Sequence, residues 1–219
     1  MQAPLYHITR PAKHTDKKTP LVLLLHGYGS DENDLFSFAN YLPDEWFIVS
    51  ARAPLSIYPM GYAWYSIYFD APEGKFSNTE EAKNALTRID ELIDYCVNNY
   101  PVVRDKISLL GFSQGCILAL AYGLTHTNKV KNIIGLSGYL NQELIPPLDD
   151  LTEMLKKKQP SVYLSHGTQD EVIPFEWSKN SGDVLKKLLQ DIVFESFPVG
   201  HGVAPENFKA FLDWMQQRI

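Results

Sequence analysis

"LLGFSQGCILALAYG", residues 109–123, sets an apolar run against a serine flanked at two residues' distance by glycines. Gly111, Phe112, Ser113, Gln114 and Gly115 stand where a buried strand gives way to a helix. Such a corner suits a turn former. It also suits a nucleophile, because a strained strand-to-helix turn pushes the hydroxyl clear of the sheet edge and demands tiny neighbours two residues away. The amino end of the helix that follows favours negative charge developing beside it.

Outward from this corner the chain alternates. "LVLLL" (21–25) is a short, continuously apolar run ended by His26-Gly27, the pattern of a strand covered on both faces. "FIVSA" (47–51), "ISLL" (107–110), "NIIGLS" (132–137), "SVYLS" (161–165) and "IVFESF" (192–197) read similarly. From Ala82, apolar residues at 85, 86, 89, 92, 93 and 96 form one helical face, and Ser77 with Glu80 fits a capping box for its start. Further helices are expected from Gln114 to about Thr125, through Val184–Leu189 and through Phe208–Met215. This alternation predicts an α/β fold with a mostly parallel sheet and helices on both sides. "LYHIT" (5–9) reads as an added antiparallel edge strand. Residues 52–76 and 139–160 interrupt the pattern, as long loops covering a site would.

Composition narrows the function. The 219 residues are expected to form one domain, 1–219, large enough to bury ~70–75% of the unfolded surface. A net charge of −6 with scattered lysines argues against a nucleic-acid partner. Cys96 and Cys116 make neither a disulfide framework nor a zinc site. There is no secretory-signal pattern and no apolar stretch near the ~18 residues of a membrane span, so a cytoplasmic protein is expected.

A serine hydroxyl needs a general base. In an open α/β sheet the order is Ser, acid, His. Of six histidines only His201, in the loop "PVGHGV", follows both Ser113 and a suitable acid. "SHGTQDEVIP" supplies Asp170, with Glu171 as the rival. Each of the three follows a different strand at its carboxyl end, and in a parallel sheet those ends share one edge. His166 and His26 read as organisers of their loops, and His126 as a partner of a helix end. Charge on a carbonyl oxygen calls for preorganised N–H donors. The amide of Gln114 is one, and that of Tyr28 in "LHGYGSDENDL" is the second, unless that loop is a simple tight turn.

With these residues placed, the chain resembles the phospholipase/carboxylesterase family of α/β-hydrolases, which includes bacterial carboxylesterases and acyl-protein thioesterases. The resemblance runs from about Leu21 to the carboxyl end, on "LHGYGSDENDL", "GFSQGC", "HGTQDEVIP" and "GHGV" in that order. It implies a compact α/β-hydrolase fold with little or no cap domain. It also implies Ser113 as nucleophile, His201 as base, Asp170 as orienting acid and oxyanion amides at Tyr28 and Gln114. "GYAWYSI" (61–67) resembles the family's Trp-aromatic segment, though Tyr65-Ser66 replaces a common Phe-Asp and Cys116 a common Gly. Trp64, Tyr65, Val172 and Val203 are expected to line an acyl pocket. The expected activity is hydrolysis of a small-molecule or acyl-chain carboxylic ester, with thioesters and lysophospholipids as further substrate classes, through an acyl-enzyme and without metal or organic cofactor. A peptidase of the same fold and a non-catalytic interaction protein are the alternatives. An exposed apolar patch near the long loops would suit substrate or a second copy of the chain, as a homodimer.

Overall fold

The computed structural model describes residues 2–13, 17–71 and 74–219, and for 69–71 and 74–76 the backbone alone. His14 and residues 72 and 73 of the expected 52–76 loop lie outside the described residues. The strands in chain order are β1 (His7–Arg10), β2 (Thr19–Leu25), β3 (Phe47–Ala51), β4 (Leu55–Ile57), β5 (Gly61–Ala63), β6 (Ile67–Ala71), β7 (Gly74–Ser77), β8 (Val102–Phe112), β9 (Val130–Leu136), β10 (Ser161–Gly167) and β11 (Ile192–Phe197). The helices are α1 (Asn33–Phe36), α2 (Thr79–Asn99), α3 (Gln114–Thr125), α4 (Leu148–Leu155), α5 (Phe175–Leu188) and α6 (Pro205–Gln216).

Seven strands form the main sheet in the order β1-β3-β2-β8-β9-β10-β11. All its pairings are parallel except β1 with β3, the antiparallel edge expected from "LYHIT". The remaining strands make two small hairpins, β4–β5 and β6–β7, inside the segment read as a long loop. The fold is thus the mostly parallel α/β architecture expected.

The period of two along each strand divides the core. In β2, Leu21, Leu23 and Leu25 join a core with α2, α3, α4 and α5, while Val22 and Leu24 join another with α1 and α6. β10 does the same, with Val162 and Leu164 on the first side and Tyr163 on the second. Burial on both faces is why these strands carry no polar alternation. Helix α3 lies deepest. Every residue from Gln114 to Leu124 is buried, so it is apolar all round rather than amphipathic.

The start of α2 differs from expectation. Helix α2 is capped by Asn78, whose Oδ1 accepts the Glu81 N–H at 3.1 Å, and not by Ser77 with Glu80. Ser77 is still the last residue of β7, and Asn is as good a cap as Ser. Glu81 then reaches back to accept the Ser66 N–H at 2.7 Å, tying α2 to the hairpins. Among the described residues, no helix is long and apolar enough to cross a membrane.

Candidate active site

Ser113 sits between the last residue of β8 and the first of α3, with φ 53° and ψ −115°. That conformation costs on the order of 1–3 kcal/mol in a residue with a Cβ. The strain is outweighed by burial of Ile117, Leu118, Leu120 and Leu124 in α3, each worth roughly 1.5–3 kcal/mol. Ser113 N–H donates to Leu136 O at 2.8 Å, and Ile117 N–H to Ser113 O at 3.1 Å. A Cβ at Gly111 would lie 2.2 Å from Gly115 O, and one at Gly115 would lie 2.0 Å from Leu25 O. The two glycines therefore let the helix start pack directly on β8 and β2. Although Ser113 occupies the N-cap position, its side chain makes no capping bond. Its hydroxyl donates to Nε2 of His201 at 2.9 Å instead.

His201 follows β11 and Asp170 follows β10, and the two loops are stitched together. Thr168 N–H donates to Phe197 O at 2.8 Å, and Gln169 N–H to Val199 O at 3.0 Å. A Cβ at Gly167 would come within 2.3 Å of both Val199 O and Gly200 O, so only glycine permits this approach. Asp170 Oδ2 then accepts His201 Nδ1–H at 2.7 Å, which leaves Nε2 as the lone pair facing Ser113. Oδ1 of Asp170 accepts the amides of Val172 and Ile173 at 2.8 and 2.9 Å. Burial alone would raise the Asp170 carboxyl, but the His201 bond and these two amides together hold it below the ordinary value. Glu171 is exposed and takes no such place. Phe112 packs on the His201 ring at 5.0 Å between centroids.

The loop after β2 is held from behind. Buried His26 donates from Nδ1 to Gly27 O at 2.7 Å and accepts the Ala53 amide on Nε2 at 3.0 Å. Burial pushes its pKa down, so the ring is neutral. Gly29 N–H donates to Tyr62 O at 2.9 Å, and Tyr62 N–H to Ser30 O at 2.8 Å. Glu32 pairs with Arg52 through both carboxylate oxygens, at 2.5 and 2.6 Å. The Arg52 guanidinium lies over the rings of Tyr6 at 4.2 Å and Tyr62 at 4.5 Å. The Arg52 bonds keep the Glu32 carboxyl below its usual range in spite of burial.

Ser113 and His201 open onto a cavity of about 340 Å³. Tyr28 and Gln114, the expected oxyanion residues, lie on its wall, with Tyr65 and Val172 from the expected acyl pocket. Trp64 and Val203 do not. Trp64 is fully buried behind the wall, where its Nε1–H donates to His26 O at 2.9 Å. Val203 packs into the α1/α6 core. In their place the wall carries Ile67, Ile117, Ile173, Tyr139 and Trp177, which sequence reasoning missed. A usable signal existed for two of them. Ile117 lies one helical turn beyond Ser113, and Tyr139 closely follows the carboxyl end of β9, beside β8.

Neither cysteine competes as a nucleophile: burial pushes the Cys96 thiol up to about 12, and Cys116 is raised by complete burial too. Among the described residues, no group of three or more His, Cys, Asp or Glu side chains is placed to hold a metal ion.

The model of the phospholipase/carboxylesterase family matches residues 8–219. Acyl-protein thioesterase 1 of Gibberella zeae is 35% identical over 120 residues, 51% of this chain and 48% of its own. The chain's match thus spans about half the length of that relative. Acyl-protein thioesterase 1 of Emericella nidulans is 28% identical over 223 residues, 90% of each chain. The crystal structure of esterase PE8 superposes with a TM-score of 0.81 at 26% identity, covering 98% of this chain and 99% of that one.

Proposed function

Because the chain belongs to the phospholipase/carboxylesterase family, we propose that it is a serine hydrolase of carboxylic esters or thioesters, working through an acyl-enzyme. The observation that carries this reading is the unbroken chain from the Ser113 hydroxyl to His201 Nε2, and from His201 Nδ1–H to Asp170 Oδ2. His201 takes the proton as Ser113 Oγ attacks the acyl carbon. Asp170 holds the imidazole tautomer and stabilises the imidazolium, without itself becoming protonated. The main-chain amides of Tyr28 and Gln114 receive the negative charge of the tetrahedral oxygen. His201 returns the proton to the departing alkoxide or thiolate, and a water repeats the sequence in reverse to release the acid.

The apolar share of the wall (Ile67, Ile117, Val172, Ile173) suits an acyl chain. The test is a series of aryl esters and thioesters of rising acyl length, run beside a peptide panel. The esters are expected to turn over and the peptides to resist. Ser113→Ala is expected to lower turnover by about 10⁴–10⁶-fold and to abolish labelling by a fluorophosphonate. Near-normal hydrolysis by that variant would overturn the assignment.

A further inference from the structure

Asp170 is met by a second imidazole. His166, the residue before the last of β10, has no solvent exposure, and its Nε2 lies 2.9 Å from Ile173 O and 3.1 Å from Asp170 Oδ2. A carbonyl oxygen only accepts, so Nε2 carries the hydrogen and donates it to Ile173 O, with Asp170 Oδ2 beside the same nitrogen. Nδ1 is then the lone pair, and it is buried with no hydrogen-bond partner among the described residues. The ring is neutral, since burial opposes its charged form more than its neighbours favour it. The titratable groups facing it are Asp170 and, beyond that, His201, with the Phe175 ring 6.2 Å away. Oδ1 of Asp170 is already taken by two amides and Oδ2 by His201. The polar Nε2–H group of His166 therefore stands against the one remaining side of Oδ2.

We propose that His166 is a positioning residue of the reaction, whose Nε2–H, 3.1 Å from Oδ2 of Asp170, steadies that oxygen in orientation and draws off part of its charge. The inference rests on the assignment of Ser113, His201 and Asp170 as the catalytic groups. It goes beyond packing, because a group that merely held the Ile173 carbonyl would not alter how Asp170 acts on His201. With His166 removed, the carboxylate is held on its Oδ2 side by His201 alone and leans more strongly on the imidazolium. The first effect misaligns the base, and such misplacement costs about tenfold or more in rate. The second stabilises the charged base and moves the acid limb of kcat/KM to higher pH.

The experiment compares wild type, His166→Leu, His166→Gln and Ser113→Ala on one p-nitrophenyl ester, as kcat, KM and kcat/KM against pH. His166→Leu is expected to lose about tenfold or more in kcat with KM little changed and an upward-shifted acid limb. His166→Gln, which replaces the donor, is expected to restore both. A folded His166→Leu protein with native kcat and an unmoved limb, or a folded Gln variant that restores neither, overturns the proposal. If the Leu variant does not fold, histidine ¹⁵N resonances of the wild-type protein decide: an Nε2–H tautomer of His166, neutral across the active pH range, supports it. A charged ring or an Nδ1–H tautomer overturns it. The Ser113→Ala arm separates the two levels, because activity surviving there removes the catalytic assignment itself, whatever His166 does.

Discussion

The side chain of Gln114 is hydrogen-bonded to the main chain of Trp64: its Oε1 accepts the Trp64 N–H at 2.8 Å, and its Nε2 donates to Tyr65 O at 2.7 Å. The residue after Ser113 thus pins the cavity wall to the start of α3. A purely main-chain role in holding the oxyanion would leave Gln114→Ala almost harmless. The two bonds predict otherwise: a loss of about 1–3 kcal/mol in stability, because they leave buried Trp64 N–H and Tyr65 O groups unpaired. Urea unfolding read together with KM on a long-chain ester checks this. Both are expected to change, by less than the Ser113→Ala effect on turnover.

Asp170→Asn keeps the shape of the site and reverses one hydrogen bond. An amide NH₂ facing His201 Nδ1 would favour the tautomer with Nε2–H, which cannot take the Ser113 proton. Turnover is expected to fall by about 10⁴-fold with the fold preserved, as a comparable Asp→Asn change does in another serine hydrolase. Single-turnover acylation rates and circular dichroism check the two halves.

Trp64 and Trp177 separate structure from selectivity. Trp64 has no exposure, whereas Trp177 is 45% exposed on the cavity wall. Trp64→Ala is expected to cost about 3–5 kcal/mol of stability. Trp177→Ala is expected to leave Tm nearly unchanged and to alter the dependence of kcat/KM on acyl length. Thermal unfolding and the ester series measure both.

Breaking the Glu32–Arg52 pair strands a charge. Glu32 has 3% side-chain exposure, so Arg52→Met leaves its carboxylate buried and uncompensated, at a cost of about 3–5 kcal/mol. Adding Glu32→Gln to that variant removes the stranded charge and is expected to recover part of the loss. A double-mutant cycle in urea reads the difference.

Stability is expected to fall as the medium becomes mildly acid. His26 and His166 have folded pKa values lowered by burial from 6.5, so below that value the unfolded chain binds protons that the folded chain refuses. Their contribution is complete above pH 6.5 and is lost as pH drops through their folded values. The slope is up to about 1.4 kcal/mol per pH unit for each proton. Asp170 and Glu32, also lowered, add a second loss only beneath the carboxylate range. Urea midpoints at pH 8, 6 and 5 check this, and His166→Gln is expected to give a shallower slope.

The strands and the serine corner were legible because burial on both faces leaves an unbroken apolar run, and because a tight strand-to-helix turn leaves its mark in Gly111 and Gly115. Asp170 and His201 were legible from chain order and the shared strand edge. What that reasoning could not reach was the direction in which loop side chains face. Trp64 and Tyr65 are adjacent in the sequence, yet one braces His26 and the other forms the cavity wall, a difference decided by the Gln114 bonds to their backbone. Val203 was misplaced for the same reason: two residues past His201, the chain has already turned toward α6.

The burial of α3 on every side sets how this protein dies. No partial opening can release the helix that carries Ser113 without emptying the middle of the molecule, so its amides should exchange with deuterium only through global unfolding. Heat or denaturant would then extinguish esterase activity and the cooperative melt along a single curve, with no inactive but still folded species between them.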